Sequence, residues 1–327
     1  MTQSLLLLGS TGYIGGQVLS TILNDSTLSL NITAVCRSED KADKLKTFGV
    51  DTVVASLDHV ELIEQLASQH DIVINASNGN HVVFKNIIEG LKKRKESVFL
   101  QVSGAATIMD DAKGRYANEK VYSDLDVNTL NNLSKSQPRK EVHSFIVDCS
   151  NRINAHIILP STVYGTAKHA LALAGISNTT SVQISQMVKA SIKRKQAGVI
   201  NKGLNKWGNV YIEELGDLFL LILKKSLSGE LDSKSSGLGS YFFVSSDEHD
   251  LLSLCRAIGT SLSKRNIGLI EPSQYSEDEI KEFFNGSYFN ATNARISSDH
   301  SKQIGWMPVK TNDDLYCSID DEIIKLL

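Results

Sequence analysis

The sequence lacks the residue patterns that mark metal-binding, disulfide-bonded and nucleic-acid-binding proteins. Its four cysteines, at positions 36, 149, 255 and 317, form no C-x-x-C pair, and its eight histidines form no H-E-x-x-H motif. We therefore predict neither a metal site nor a disulfide framework. Because 34 lysines and arginines face 37 aspartates and glutamates, the chain has no basic excess to attract a nucleic acid, and no such partner is expected.

Long apolar runs are missing as well. Residues 5–8 form an apolar run near the start, but it is too short for the core of a signal peptide and ends at a glycine. No other stretch approaches the ~18 to 20 uncharged apolar residues that cross a bilayer. We expect a cytoplasmic protein with no membrane partner, either a monomer or a homodimer.

The first half of the chain alternates short apolar runs with longer amphipathic stretches. Continuous apolar runs are typical of parallel strands that are buried on both faces. Such runs occur at residues 5–8, 32–36, 52–55, 71–76, 98–102 and 155–159. Because the stretches between the first five have helical spacing, the pattern predicts an α/β fold, a Rossmann-type doubly wound parallel sheet.

The domain organisation follows from where this alternation stops. Residues 1–165 are expected to form the dinucleotide-binding domain. Within it, the polar, acid-rich stretch 106–142 is too long for an ordinary connection, and we interpret it as an insertion that forms a flap beside the site. Residues 166–327 are expected to form a smaller region that covers the substrate, with about 205–245 returning to the Rossmann core.

The strongest motif joins the first predicted strand to a helix through glycines at positions 9, 12 and 15. The first glycine permits a tight turn, the second lets the backbone approach a pyrophosphate, and the third lets the helix pack closely on the strand. A glycine-rich turn without a ligand is the alternative, but the strand-helix-strand context favours dinucleotide binding. The residues predicted to bind the cofactor here are Gly9, Ser10, Thr11, Gly12, Tyr13, Ile14 and Gly15.

The G-x-x-G-x-x-G spacing resembles that of the extended or atypical short-chain dehydrogenase/reductase (SDR) superfamily, which includes nucleotide-sugar epimerases and carbonyl reductases. Three later segments resemble family elements in the same order: 159–165 (LPSTVYG), 210–215 (VYIEEL) and 305–308 (GWMP). The resemblance covers nearly the whole chain. It is closest in character to uncharacterised fungal NAD(P)-binding proteins of the epimerase/dehydratase type.

Cofactor choice is predicted from the end of the second strand. A carboxylate about 20 residues beyond the glycines suits the ribose of NAD, whereas an arginine suits the 2′-phosphate of NADP. Arg37 stands at this place and is followed by Ser38, which favours NADP; NAD remains the alternative if Glu39 or Asp40 contacts the ribose. The resemblance implies further cofactor contacts from Ser56, Leu57, Asn75, Ala76, Ser77, Val102, Pro160, Ser161, Thr162 and Val163.

The catalytic residues are predicted by the resemblance, which implies a serine after the fifth strand and a Tyr-x-x-x-Lys pair. Ser103 occupies the place of the serine, and Tyr116 with Lys120 matches the pair. The family tyrosine opens the helix before the sixth strand, but the corresponding stretch here, 140–147, contains no tyrosine. Either the pair lies on the insertion, with Tyr122 as an alternative acid, or these catalytic residues are missing.

Three functions remain open at this point. The first is an NADP-dependent oxidoreductase of the extended or atypical SDR type that reduces a small aldehyde or ketone, or oxidises the alcohol. The second is a nucleotide-sugar epimerase or dehydratase. The third is a non-catalytic NADP-binding regulator that resembles NmrA-like proteins.

Overall fold

The structure is a computed structural model that describes residues 2–79, 81–235 and 240–327. Its strands are β1 (Gln3–Leu8), β2 (Leu30–Cys36), β3 (Asp51–Val54), β4 (Ile72–Asn75), β5 (Val98–Val102), β6 (Tyr122–Ser123), β7 (Asn154–Pro160), β8 (Thr162–Tyr164), β9 (Gly198–Val199), β10 (Lys206–Tyr211), β11 (Tyr241–Val244), β12 (Asp247–Asp250), β13 (Ser273–Gln274) and β14 (Ile296–Ser297). Its helices are α1 (Tyr13–Leu23), α2 (Glu39–Lys46), α3 (Val60–Gln69), α4 (His81–Leu91), α5 (Val127–Asn131), α6 (Lys140–Asp148), α7 (Ala170–Leu173), α8 (Gln183–Arg194), α9 (Ile212–Ser228), α10 (Leu251–Ser263), α11 (Glu277–Phe284), α12 (Asp299–Gln303) and α13 (Asn312–Leu326).

The central sheet is parallel, with the strand order β11-β7-β5-β4-β1-β2-β3. Successive side chains of a strand point to opposite faces, so Leu5 and Leu7 pack with α1 and α9 on one face. Leu6 and Leu8 pack with α3, α4 and α6 on the other face. The predicted doubly wound parallel sheet is thereby confirmed, and the strands are continuously apolar because helices cover both faces.

A smaller sheet, in the order β12-β10-β8, lies outside the central sheet. Helices α8, α10 and α13 surround a separate apolar cluster beside it. The stretch 205–245, for which a return to the core was predicted, is divided between the two sheets: β10 belongs to the small sheet, whereas β11 pairs with β7 in the central sheet. Residues 236–239 of that stretch lie outside the described residues.

The insertion at 106–142 is attached to the C-terminal part of the chain. Strand β6 within it pairs with β14. The carboxylate of the buried Asp124 accepts hydrogen bonds from the backbone N–H groups of Phe243 and His300. The segment predicted to be a flap is therefore bound to β14 through its backbone and to β11 and α12 through a buried side chain.

In the part of the chain that the structure describes, no helix combines the length and the apolar composition that crossing a membrane requires.

Strand β7 contains a histidine in an apolar setting. His156 is fully buried, and neither ring nitrogen has a hydrogen-bond partner among the described residues. The edge of its ring meets the ring of Phe242, with the centroids 5.7 Å apart. Burial lowers the pKa of His156 to about 3, so the imidazole is neutral in the folded protein at physiological pH.

We predict that His156 makes the protein less stable in mild acid. The unfolded chain binds a proton on this imidazole below pH ~6.5 while the folded chain does not, so the free energy of unfolding decreases as the pH falls from about 6.5 towards 3. Between pH 7 and pH 5 the free energy of unfolding, measured with urea, should therefore fall by about 2 kcal/mol less in His156→Leu than in the wild-type protein. The exposed His59→Gln is the control, and an unchanged pH dependence in His156→Leu would contradict the prediction.

Candidate cofactor cleft and active site

The glycine-rich loop joins β1 to α1 by close backbone contacts. Gly9 has a φ of +85°, and a Cβ atom there would lie 2.6 Å from the carbonyl oxygen of Ala76. A Cβ on Gly15 would lie 2.1 Å from the carbonyl oxygen of Gly9. Only glycine fits either position, because any side chain would push the helix away from the sheet.

Gly12 differs from the other two glycines of the motif. Its φ of −78° is ordinary for any residue, and its amide donates to the carbonyl of Gly9 at 2.9 Å. A Cβ atom on Gly12 would meet only that same carbonyl oxygen within 4 Å, at 3.2 Å, among the described residues. The protein itself therefore leaves the space above Gly12 open, as a phosphate group requires.

The first turn of α1 offers a site for an anion. No side chain caps the helix at Gly12, and its first turn contains no acidic residue. The free N–H groups and the positive end of the helix dipole therefore face the loop. This arrangement fits a pyrophosphate.

A cleft of about 560 Å³ extends from this loop across the carboxyl ends of the neighbouring strands. Eight of the residues predicted to bind the cofactor line it: Gly9, Thr11, Gly12, Arg37, Ser56, Leu57, Ala76 and Ser77. Lys41, Asp58, Asn78 and Asn178 also line the cleft, and sequence reasoning did not single them out. The sequence does hold a signal for Lys41, because this cation lies in the first turn of the helix that follows Arg37.

Two cations line the cleft where β2 ends. Arg37 is exposed, and neither it nor Lys41 forms an ion pair within the described residues. Ser38 has another task, because its hydroxyl caps α2 by accepting from the backbone N–H of Lys41 at 3.3 Å. At the next strand end, the hydroxyl of Ser56 donates to the carboxylate of Asp58 at 2.8 Å. The cleft thus combines two cations with one carboxylate acceptor.

Other predicted cofactor residues are used in internal contacts. Asn75 is buried and donates to Gln101 at 3.0 Å, while its oxygen accepts from the backbone and the hydroxyl of Ser77. Tyr13 donates to the carbonyl of Gly165 at 2.6 Å. Of the remaining predicted residues, Ile14 is partly exposed. The others are buried: Ser10, Gly15, Val102, Pro160, Ser161, Thr162 and Val163. Their contact with a cofactor stays a prediction.

Ser103 lies at the end of β5 and forms a hydrogen bond that the sequence did not reveal. Its hydroxyl oxygen is 2.7 Å from Nε2 of His143 on α6. His143 is 1% exposed, and its ring edge meets the ring of Tyr241 with the centroids 5.8 Å apart. Burial, followed by the charges of Lys140 and Arg139, lowers the pKa of His143 to about 3. The partner of Ser103 is therefore a neutral imidazole.

The predicted tyrosine and lysine lie elsewhere on the insertion. Tyr116 is 49% exposed, and its carbonyl accepts from the side chain of Asn293. The Nζ atom of Lys120 lies 4.2 Å from the centroid of the Tyr122 ring, which makes a cation–π pair. Within the described part of the chain, no hydrogen bond joins Ser103 to Tyr116 or Lys120. The catalytic roles of these residues stay predictions.

Comparison with known proteins identifies the domain that holds this cleft. Residues 9–149 match the family described as NAD(P)H-binding. The chain carries an NAD(P)-binding domain. A dinucleotide cofactor is thereby confirmed, whereas the preference for NADP over NAD stays a prediction.

The whole chain is similar over nearly its full length to several known proteins. It is 26% identical over 335 residues to the oxidase ucsJ of an Acremonium species, with 94% of each chain covered. Its structure is similar to dTDP-glucose 4,6-dehydratase of Bacillus anthracis, with a TM-score of 0.68, 14% identity and coverage of 99% and 97% of the two chains. It is also similar to the yeast methylglyoxal/isovaleraldehyde reductase Gre2, with a TM-score of 0.62, 16% identity and 98% of each chain covered. The predicted resemblance to the extended SDR superfamily is confirmed at the level of the fold.

We predict that Gly12→Val abolishes dinucleotide binding and leaves the chain folded. The φ of Gly12 suits any residue, and a Cβ atom there, 3.2 Å from the carbonyl oxygen of Gly9, needs a small shift of that carbonyl, whereas the rest of the side chain would occupy the space of the pyrophosphate. Gly15→Val is the contrasting variant, since its side chain would collide with Gly9 and disrupt the fold itself. Thermal unfolding together with titration of NADPH fluorescence separates the two effects. Normal titration by folded Gly12→Val would mean that this glycine is structural only.

We predict that Arg37→Ala weakens the binding of NADP(H) selectively. Loss of a charge-assisted hydrogen bond to the 2′-phosphate should lower the affinity for NADP(H) roughly tenfold or more. NADH lacks this phosphate, so its dissociation constant should hardly change and serves as the internal control. Equal losses for both cofactors, or a wild-type protein that prefers NADH, would contradict the assignment.

Proposed function

We propose that the protein is an NADP(H)-dependent oxidoreductase that interconverts a small aldehyde or ketone and its alcohol. The observation that carries this proposal is the Ser103 hydroxyl, held at the end of β5 by a neutral, buried imidazole. Ser103 directly follows β5, and β5 lies beside β4 in the central sheet. The carboxyl end of β4 borders the cleft. A hydroxyl next to a nicotinamide-binding cleft is suited to orient a carbonyl group.

The residues of the chain have separate tasks in this proposal. The free N–H groups at the start of α1 hold the pyrophosphate, and Arg37 with Lys41 holds the 2′-phosphate. Bound NADPH would supply the hydride for the carbonyl carbon, and the carbonyl oxygen would take its proton from an acid, for which Tyr116 and Tyr122 are the candidates from the sequence. The hydroxyl of Ser103 donates a hydrogen bond to the carbonyl oxygen, and this bond strengthens as negative charge develops there.

The activities of similar proteins guide the choice of substrates to test. The structurally similar Gre2 is a methylglyoxal/isovaleraldehyde reductase, which supports small aldehydes as the first compounds to test. A dTDP-glucose 4,6-dehydratase has the same fold, so an epimerase or dehydratase activity on a nucleotide sugar is the alternative within enzymes. Fold similarity alone does not choose between these reactions.

A non-catalytic NADP-binding regulator is the second candidate function. It is favoured by the separation of Tyr116 from Ser103, because a tyrosine that is half exposed on the insertion makes no hydrogen bond with the serine. A regulator would bind NADP(H) and consume none of it with any carbonyl compound.

We expect the wild-type protein to oxidise NADPH in the presence of methylglyoxal or isovaleraldehyde, once cofactor binding has been shown. Ser103→Ala should lower kcat by ~10², the scale of a single oriented hydrogen-bond donor in the transition state, with an unchanged dissociation constant for NADPH. The exposed Ser134→Ala is the matched control. Tight NADPH binding without consumption across aldehydes, ketones and nucleotide sugars would favour the regulator.

The sequence prediction for the proton donor is tested by a second pair of variants. If Tyr116 donates the proton, Tyr116→Phe should lower kcat by ~10² or more and keep the affinity for NADPH. Tyr122→Phe tests the alternative acid in the same assay. Full turnover by both variants would remove both tyrosines from the reaction and leave the cofactor site unaffected.

A further inference from the structure

We propose that Arg139 and His143, at the start of α6, contribute to the active site at the place in the fold where the resemblance expects the tyrosine and lysine pair. His143 positions the hydroxyl of Ser103, and Arg139 supplies a fixed positive charge at the edge of the cofactor cleft. This inference rests on the proposed function and deepens it.

The position of these two residues along the chain is the first argument. Helix α6 leads into β7, which is where the resembling family carries its Tyr-x-x-x-Lys pair, and no tyrosine occurs there. Arg139 directly precedes α6, and its carbonyl accepts the backbone N–H of His143 at 3.1 Å, so both residues belong to the first turn at this helix end. The same helix end thus offers one cation and one hydrogen-bonding ring in place of the expected pair.

The contact of His143 is the second argument. A neutral imidazole carries a single N–H group, and the Nε2 atom lies 2.7 Å from the hydroxyl oxygen of Ser103. When Nε2–H donates to that oxygen, the proton of the serine is free to point towards a carbonyl group of the substrate. His143 would then act through Ser103 as a positioning residue.

The contact of Arg139 is the third argument. Its Nη2 atom donates to the side-chain oxygen of Asn78 at 3.0 Å, and Asn78 lines the cofactor cleft. Within the described residues, no carboxylate forms a salt bridge with Arg139, so its charge is uncompensated there. Arg139 also has a φ of 60°, a conformation that glycine adopts at lower energy. The chain thus adopts a costly backbone conformation at a residue whose cationic side chain reaches Asn78, at the edge of the cleft where an anionic cofactor would pass.

Cofactor titration tests the role of Arg139 without any turnover. Arg139→Met should weaken the binding of NADPH and NADH alike by roughly tenfold, since the charge faces a part that both cofactors share. This result would differ from Arg37→Ala, which is expected to affect NADPH alone. Arg139→Lys keeps the charge and should recover part of the affinity. Arg152→Met removes an exposed arginine beyond the other end of α6 and is the control; equal binding by Arg139→Met and wild type would overturn this role.

Turnover tests the role of His143. His143→Leu should lower kcat by about the same ~10² as Ser103→Ala, with an unchanged dissociation constant for NADPH, and the double variant should lose no more than either single one. His143→Gln keeps an N–H donor near the position of Nε2 and should restore most of the rate. Full activity in His143→Leu, or losses that multiply in the double variant, would overturn the positioning role.

A spectroscopic measurement separates this inference from the proposed function. Ser103→Ala should shift the 15N resonance of Nε2 in His143, whether or not any substrate is known, because the hydrogen bond itself is lost. An unchanged resonance would overturn the Ser103–His143 pair, even if His143→Leu fails to fold. A third outcome is that Ser103→Ala shifts the resonance and Arg139→Met weakens NADPH binding, while the wild-type protein reduces no carbonyl compound. This outcome would contradict the proposed reaction but support both contacts, Ser103 with His143 and Arg139 with the cofactor cleft.

Discussion

The structure depends on the close approach of α1 to the carboxyl ends of β1 and β4. Gly9 and Gly15 allow this approach, since a Cβ atom on either would overlap a backbone carbonyl. The approach puts the positive end of α1 beside the ends of the central strands, where the cleft opens. The glycine motif is therefore first a packing requirement, and the affinity for an anion follows from it.

The side chains at the neighbouring strand ends then give the cleft its chemistry. The ends of β2 and β3 supply Arg37 and Ser56, and the start of α2 adds Lys41. The end of β4 is held by a buried amide pair, Asn75 with Gln101, which also fixes the turn at Ser77. Because these groups come from different strands of one parallel sheet, a single edge collects them into one binding surface.

The sequence by itself determined the elements that depend on local pattern. Buried apolar runs predicted the strands of the central sheet, and the spacing of the glycines predicted the loop and the start of α1, because both are properties of consecutive residues. Its position after the second strand also pointed to Arg37, which lines the cleft. The prediction was weaker where long-range pairing decides. Strand β10 lies in the stretch for which a return to the core was predicted, but its partners β8 and β12 place it in the small sheet.

Only the tertiary structure decided which polar side chains meet beyond the cleft. Ser103 pairs with a histidine 40 residues away, and Arg139 reaches a side chain 61 residues away. The Tyr116–Lys120 spacing matches a motif, yet the fold pairs Lys120 with the Tyr122 ring instead. Such contacts depend on the packing of α6 and the insertion against the sheet, and residue spacing holds no information about distances between segments that are far apart in the chain.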